Sequence, residues 1–137
     1  MIEIESRELA DIPVLHAYPV GQKDTPLPCV IFYHGFTSSS LVYSYFAVAL
    51  AQAGLRVIMP DAPDHGSRFS GDAARRLNQF WQILLQSTQE FTTLRAAIAE
   101  ENWLRDDRLA VGGASMGAMT ALGITARHPT VKCTASM

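Results

Sequence analysis

Gly113-Ala114-Ser115-Met116-Gly117 is a G-x-S-x-G pentapeptide, and it determines the fold class more than any other segment. It stands between a strand-like run, residues 108–112, and a helix-like run from Met116 to Arg127. A serine flanked by near-hydrogen side chains at such a junction is typical of a nucleophile on a very sharp turn, where larger neighbours would collide with the strand and the helix. Ser115 is therefore the candidate nucleophile.

A second motif precedes a small polar loop, Thr37–Ser40. The apolar run Pro28–Tyr33 predicts a buried strand, and His34-Gly35-Phe36 follows it. Serine attack on an acyl group puts negative charge on the carbonyl oxygen, and loss of one backbone N–H donor to that oxygen typically costs ~3–4 kcal/mol. We expect the amides of Phe36 and Met116 to be the donors, because Met116 also opens a helix whose dipole favours negative charge.

Three segments together resemble the bacterial α/β-hydrolase esterases related to dienelactone hydrolase: His34-Gly35-Phe36, Pro60–Ser67 and Gly113–Gly117. The resemblance runs from Met1 to the end of the chain but covers only the first part of that fold. It implies an α/β fold with a mostly parallel sheet flanked by helices, incomplete at the C-terminal side, in the strand order 1-2-4-3-5-6-7-8. Residues 1–137 are then the N-terminal portion of one domain. The site residues that it implies are Ser115 as nucleophile, Phe36 and Met116 as oxyanion donors, and His34, Gly35, Gly113 and Gly117 as the supporting motif.

The partners of the nucleophile are expected outside this sequence. In the α/β-hydrolase order an acid and then a histidine follow the serine, yet only ten residues follow Arg127. Of these, His128-Pro129 ends the helix and Val131–Met137 predicts the next strand. The triad Asp and His are therefore expected beyond residue 137.

The histidines that are present are predicted to be structural. His34 shapes the backbone of its loop, and His65 belongs to the turn signal Asp64-His65-Gly66. His16, in an N-terminal strand, and His128, at a helix end, are expected on the surface. Asp61 and Asp64 are expected to cap or hydrogen-bond the turn after their strand.

Composition places the chain among globular α/β proteins. A net charge of −2 gives no electrostatic reason to bind nucleic acid or an anionic membrane. The alternating start Met1–Glu5 lacks the features of a signal peptide, and no run approaches ~18 apolar residues, so we expect a cytoplasmic protein. The pentapeptide Gly113–Gly117 is called the elbow below, and the strand before it the elbow strand. In the implied sheet order the elbow strand separates Cys29 from Cys133 by ~9.5 Å, so both are expected to be reduced and buried. No metal or organic cofactor is expected.

The other predicted elements alternate along the chain. A helical region follows residue 71, with a break expected near Gln86–Glu90, and its apolar stripe is predicted to be core. The stripe comprises Leu77, Phe80, Trp81, Leu84, Leu85, Thr88, Phe91, Leu94 and Ile98. The remaining predicted elements are strands Ile2–Arg7 and Ile12–Tyr18, loop Pro19–Pro28, helix Val42–Ala53 ended by Gly54, strand Leu55–Pro60, long loop Asp61–Gly71 and loop Asn102–Asp107.

The favoured function is hydrolysis of a small-molecule carboxylic ester through an acyl-enzyme on Ser115. A thioesterase, a peptidase or an acyltransferase would use the same nucleophile. A different class is a non-catalytic fragment that assembles through its open last strand, with another copy or with a complementing C-terminal chain. Nucleotide binding at residues 112–117 is disfavoured, since the P-loop lysine is missing. Four aromatic residues are candidates for the cleft: Phe36, Phe69, Phe80 and Trp81.

Overall fold

The structure is a computed structural model that describes residues 1–131 and the backbone of residues 133–136. Lys132 and Met137, both within the predicted last strand Val131–Met137, lie outside the described part. The described strands form one six-stranded sheet in the order β1-β2-β4-β3-β5-β6. This order confirms the first six positions of the expected sheet.

The elements that build the sheet and its helices alternate as the sequence predicts. Strands β1 and β2 pair antiparallel, β2 pairs antiparallel with β4, and β3, β4, β5 and β6 run parallel. The helix bounds place the elbow between β5 and α4. The bounds are β1 Ile2–Leu9, β2 Ile12–Pro19, β3 Leu27–Tyr33, α1 Ser44–Gln52, β4 Arg56–Pro60, α2 Ala73–Leu77, α3 Phe80–Glu100, β5 Leu104–Gly113, α4 Met116–Arg127 and β6 Cys133–Ser136.

Side chains alternate between the two faces of the central strands, so neighbouring residues enter different cores. Ile31 and Ile58 pack with residues of α3 and α4, whereas Phe32 and Val57 pack with residues of α1. The sheet therefore carries α3 and α4 on one face and α1 on the other. Within the described residues, no helix combines the length and apolarity that a membrane crossing requires.

The elbow strand begins earlier than predicted. Residues 102–107 were expected to be a loop, but β5 starts at Leu104. Leu27 pairs with Leu104 and Cys29 pairs with Leu109, so β5 carries three extra residues over this interval. Asp106 and Asp107 accommodate them with positive φ angles of 54° and 55°. The predicted loop is thus a bulge within the strand.

The predicted stripe of the long helical region is core only in its C-terminal part. Thr88, Phe91, Leu94 and Ile98 are buried, whereas Leu77, Trp81 and Leu85 are 61%, 67% and 47% exposed. The expected break near Gln86–Glu90 is wrong, because α3 is continuous for 21 residues. The helical region breaks instead at Asn78–Gln79, between α2 and α3. Leu77, in α2, is therefore not aligned with the buried face of α3.

Cys29 is a free, buried thiol, and burial raises its pKa to about 12. Strand β5 lies between Cys29 on β3 and Cys133 on β6, as expected. The side chain of Cys133 is outside the described part of the chain.

Candidate functional site

Ser115 follows Ala114 at the junction between β5, which ends at Gly113, and α4, which begins at Met116. Its φ of 57° and ψ of −117° form a backbone conformation that non-glycine residues rarely adopt, and its side chain is exposed among buried neighbours. The Ala114 N–H donates to the Tyr33 carbonyl oxygen at 3.1 Å, which ties the turn to the end of β3. A strained, solvent-facing serine is thereby held over the carboxyl ends of two parallel strands.

The two glycines of the pentapeptide are required by backbone contacts. A Cβ on Gly113 would lie 2.7 Å from the Ala118 nitrogen and closer still to the Gly117 backbone. A Cβ on Gly117 would lie 2.7 Å from the His34 carbonyl oxygen and overlap the Tyr33 carbonyl group. The strand and the helix can therefore approach only because both flanks lack a side chain.

The loop after β3 lies directly beside the serine. A Cβ on Gly35 would be 3.5 Å from the Ser115 Cβ and 3.1 Å from the Tyr43 hydroxyl. Within the part of the chain that the structure describes, the N–H groups of Phe36 and Met116 have no hydrogen-bond acceptor. The two amides predicted as oxyanion donors thus belong to segments that converge on Ser115.

The side chains of both candidate donors share one apolar cluster. Met116 is buried with Ala62 and Ile83, and the half-buried Phe36 packs against the same group. The Phe36 ring also meets the Phe80 ring edge to face, with centroids 5.0 Å apart. This packing connects the backbone of the loop to the first turn of α4.

Of the other aromatic residues predicted for the cleft, Trp81 is exposed, and Phe69 lies beneath the Arg76 guanidinium at 4.2 Å.

His34 and His65 are both buried, and the hydrogen bonds of each fix one tautomer. Backbone carbonyls can only accept, so Nδ1 of His34 donates to Gly35 and Nδ1 of His65 donates to Pro63. The Nε2 atoms accept from the Ala62 and Thr37 amides at 3.0 and 2.8 Å. Burial lowers the pKa of both histidines. Neither has a lone pair available to take a proton from Ser115.

The prediction of a surface position for His16 is wrong. Its ring is fully buried and stacks on Trp103 with centroids 4.3 Å apart. Nδ1 lies 2.7 Å from a Glu5 carboxylate oxygen, and Nε2 accepts from Arg56 at 2.8 Å. Burial lowers the pKa of His16 to about 4, so the ring is neutral at pH 7. The spacing of the strand could not reveal this cluster, because its members come from separate parts of the chain.

His128 ends α4, as expected, and is half-buried with its ring 4.8 Å from that of Phe91. The helix places it far from the elbow: it lies twelve positions after Met116, which corresponds to roughly 18 Å at about 1.5 Å per residue. His128 therefore cannot reach Ser115.

Asp61 and Asp64 hydrogen-bond their turn as predicted, and Asp61 does more. Asp64 accepts from the Ser70 N–H at 2.7 Å. Asp61 accepts from the Ser67 hydroxyl and also from the Ser40 N–H at 3.0 Å. Burial alone would raise the pKa of Asp61, but its hydrogen bonds with Ser40 and Ser67 outweigh burial and lower that pKa. Sequence reasoning missed the bond to Ser40, because the two residues lie 21 positions apart on different loops.

Comparison with known proteins agrees with this geometry. Over 137 residues the chain is 98% identical to Esterase YjfP of Escherichia coli and covers 55% of that protein. It is 33% identical to the Putative esterase YitV of Bacillus subtilis, over 138 aligned residues, and covers 54% of it. All of this chain takes part in both alignments. The chain thus spans about half the length of the curated relatives that it matches.

The fold also matches a solved structure. The Putative Dienelactone Hydrolase from Klebsiella pneumoniae superimposes with a TM-score of 0.81 at 19% identity, over 98% of this chain and 58% of that one. At this identity the match shows the α/β-hydrolase fold alone. A family model covers residues 24–136, which include the loop after β3, the Asp61–Gly71 loop and the elbow. The chain therefore belongs to the α/β-hydrolase family described as Serine aminopeptidase, S33.

Proposed function

We propose that this chain carries the nucleophile and the oxyanion hole of a carboxylic ester hydrolase. The observation that carries the proposal is Ser115 itself: an exposed hydroxyl on a strained turn, beside Gly35 and at the start of α4. Strain of this kind persists only where surrounding structure maintains it, and it concentrates at functional sites. The likeness to Esterase YjfP supports an ester as substrate.

In the proposed reaction the Ser115 Oγ attacks the ester carbonyl and its proton passes to a histidine outside residues 1–137. The Phe36 and Met116 amides bind the oxyanion of the tetrahedral intermediate. The intermediate collapses to an acyl-serine and the alcohol leaves with a proton. Water then attacks the acyl-serine, which releases the carboxylic acid and restores the serine hydroxyl.

The test uses residues 1–137 joined to the remaining C-terminal segment of Escherichia coli Esterase YjfP, and this fusion is referred to below as the complete enzyme. We expect turnover of p-nitrophenyl acetate, and Ser115→Ala should lower kcat by at least ~10³-fold, because triad serines act as a unit with their base. Ser70→Ala is the matched control, since Ser70 is exposed and lies outside the elbow.

A fluorophosphonate probe provides the second measurement. It should label Ser115 and leave the other serines unmodified, since only a serine activated by a base reacts readily. A label on Ser38 or Ser67, or full activity of Ser115→Ala, would show that the nucleophile is wrongly assigned.

Aminopeptidase activity is the second candidate, because the matching family is described by that name. An aminopeptidase needs a free carboxylate to bind the substrate ammonium group. In the described loops around Ser115, the Asp61 carboxylate is already bonded to Ser40 and Ser67, and Asp64 accepts the Ser70 N–H. We favour the ester because of the likeness to Esterase YjfP. Faster turnover of an aminoacyl p-nitroanilide than of p-nitrophenyl acetate by the complete enzyme would reverse this order.

A further inference from the structure

Two loops at the carboxyl ends of β3 and β4 hold each other through a reciprocal pair of histidines. His34 lies on the first loop and accepts the Ala62 N–H of the second. His65 lies on the second loop and accepts the Thr37 N–H of the first. The two rings are 5.2 Å apart, and both side chains are fully buried. Each loop thus supplies an imidazole acceptor for a backbone amide of the other.

The bond to Thr37 acts on the backbone next to Phe36. Thr37 has a positive φ of 65°, which is unfavourable for a β-branched residue and is kept only by neighbouring contacts. The His65 ring also contacts the Phe36 ring, with centroids 5.4 Å apart. His65 therefore touches the candidate oxyanion residue on its side chain and holds the amide that follows it.

We propose that His65 is a positioning residue for the oxyanion hole: its Nε2 accepts the Thr37 N–H and so aims the Phe36 N–H at the substrate oxygen. This inference rests on the proposed function of Ser115. His65 does not act on the substrate, because both of its ring nitrogens are bonded to backbone groups.

The interaction requires a neutral ring, since a protonated Nε2 cannot accept the Thr37 N–H. The charged or titratable groups that act on His65 are Asp61 and Asp64 of its own loop, His34 at the end of β3 and Arg76 of α2. Burial lowers the pKa of His65, the bond to Pro63 raises it, and Arg76 lowers it. The neutral Nδ1–H tautomer is therefore expected at pH 7.

The first test needs no substitution. Long-range ¹H–¹⁵N spectra of the complete enzyme at pH 7 should show His65 as the Nδ1–H tautomer, with its signals assigned by their loss in His65→Gln. A protonated ring or an Nε2–H tautomer would overturn the proposal, because neither can accept from Thr37.

The second test compares two substitutions that differ in the acceptor. Leucine removes it, whereas the glutamine Oε1 can replace Nε2. We expect His65→Leu to lower kcat at least ~10-fold and to leave KM within ~2-fold, because the lost alignment acts on the transition state. His65→Gln should recover most of the activity. His128→Gln, at the C-terminal end of α4, is the matched control.

A trifluoromethyl ketone separates positioning from general loss of structure. It forms a tetrahedral oxyanion on the serine, so its inhibition constant should rise for His65→Leu by about the factor by which kcat/KM falls. Equal kcat in His65→Leu and the parent would overturn the positioning role while Ser115 remains essential. If the parent has no Ser115-dependent turnover, the proposed function itself fails. If His65→Leu does not fold, the tautomer of His65 in the parent enzyme and the kcat of His65→Gln still test the proposal.

Discussion

Gly35 brings the loop after β3 close to the candidate nucleophile, since a Cβ there would lie 3.5 Å from the Ser115 Cβ. Its backbone faces the Ser115 Cβ, the Ala114 carbonyl oxygen and the Tyr43 hydroxyl. Any side chain there would point towards Ser115 and the Tyr43 hydroxyl. A Cβ alone would press on the end of the Tyr43 side chain, and a larger side chain would have to displace the loop or Ser115.

We predict that Gly35→Val in the complete enzyme lowers kcat by ~10² or more, because the branched side chain displaces the loop and with it the Phe36 donor. The measurement is kcat for p-nitrophenyl acetate, with circular dichroism to verify folding. Gly123→Ala is the control: a Cβ there meets only Thr88, at an ordinary 3.6 Å. A folded Gly35→Val enzyme with parental kcat would show that the loop does not bind the oxyanion.

His16 makes the stability of the fold depend on pH. An unfolded histidine ionises near pH 6.5, whereas burial lowers the pKa of His16 in the folded chain to about 4. Between these values the unfolded state binds more protons than the folded state, so the free energy of unfolding falls as the pH is lowered through this window. Burial and the Arg56 charge favour the neutral ring and outweigh the Glu5 carboxylate, which acts to raise the pKa.

We predict that His16→Gln removes this dependence. The difference in unfolding free energy between the parent and His16→Gln should be largest above pH 6.5 and should shrink by about 2 kcal/mol between pH 7.5 and pH 5. Urea unfolding of the complete enzyme at both values measures it. A difference that stays constant would contradict a neutral, buried His16.

At the scale of elements, one ion pair attaches the long loop after β4 to α3. Arg68, in a single 3₁₀ turn at Gly66–Arg68, donates to both carboxylate oxygens of Glu90 at 2.9 and 2.8 Å. It also donates to the Asp61 carbonyl oxygen at 3.1 Å. Both side chains are about four-fifths buried, with 21% and 20% exposed, which limits screening by solvent.

A double-mutant cycle on Arg68→Gln and Glu90→Gln should give a coupling energy of about 1 kcal/mol, because the pair is bidentate and partly buried. The Arg7–Glu101 pair is the comparison: it is monodentate at 3.4 Å, with Glu101 41% exposed, and should couple by less than about 0.5 kcal/mol. Thermal unfolding of the complete enzyme measures both. Equal coupling in the two pairs would show that Arg68 does not hold the loop.

The elements next to the G-x-S-x-G pentapeptide could be predicted from sequence. Elements whose bounds or buried faces depend on tertiary contacts could not. The bounds of α4 agree with the predicted Met116–Arg127, because the glycines fix its start and His128-Pro129 its end. The start of β5 was missed because pairing with Leu27 overrides the turn-like residues Asp106 and Asp107. The exposed positions Trp81 and Leu85 have helical spacing but face away from the sheet. A local pattern of apolar residues does not show which face of a helix will contact the sheet.

The candidate site divides in the same way. Ser115, Gly35 and the two candidate amides follow from short motifs, since their neighbours in sequence are also their neighbours in space. The contact between His65 and Thr37 joins residues 28 positions apart. The sequence Asp64-His65-Gly66 indicated a turn. That His65 bonds to Thr37 depends on how β3 and β4 align in the sheet.

At the scale of the whole molecule, the described chain has no histidine that can act as the base. The sequence contains four. His16, His34 and His65 have both ring nitrogens engaged, and His128 lies at the other end of α4. We therefore predict that residues 1–137 alone show at most a trace of the esterase turnover of the complete enzyme.

The sheet edge bears on the same prediction. Within the described part, β6 pairs only with β5, along Cys133–Ser136, and so has unpaired N–H and C=O groups on its other side. An open edge of this kind favours pairing with another chain.

We expect residues 1–137 to form oligomers when purified alone, and to regain monomeric size and activity when co-expressed with the C-terminal segment of Esterase YjfP. Light scattering coupled to size-exclusion chromatography measures size, and p-nitrophenyl acetate measures turnover. A monomeric 137-residue chain that turns over ester at ~10 per second, a rate typical of enzymes, would overturn both expectations, because one of the four histidines would then have to leave its present partners to serve Ser115.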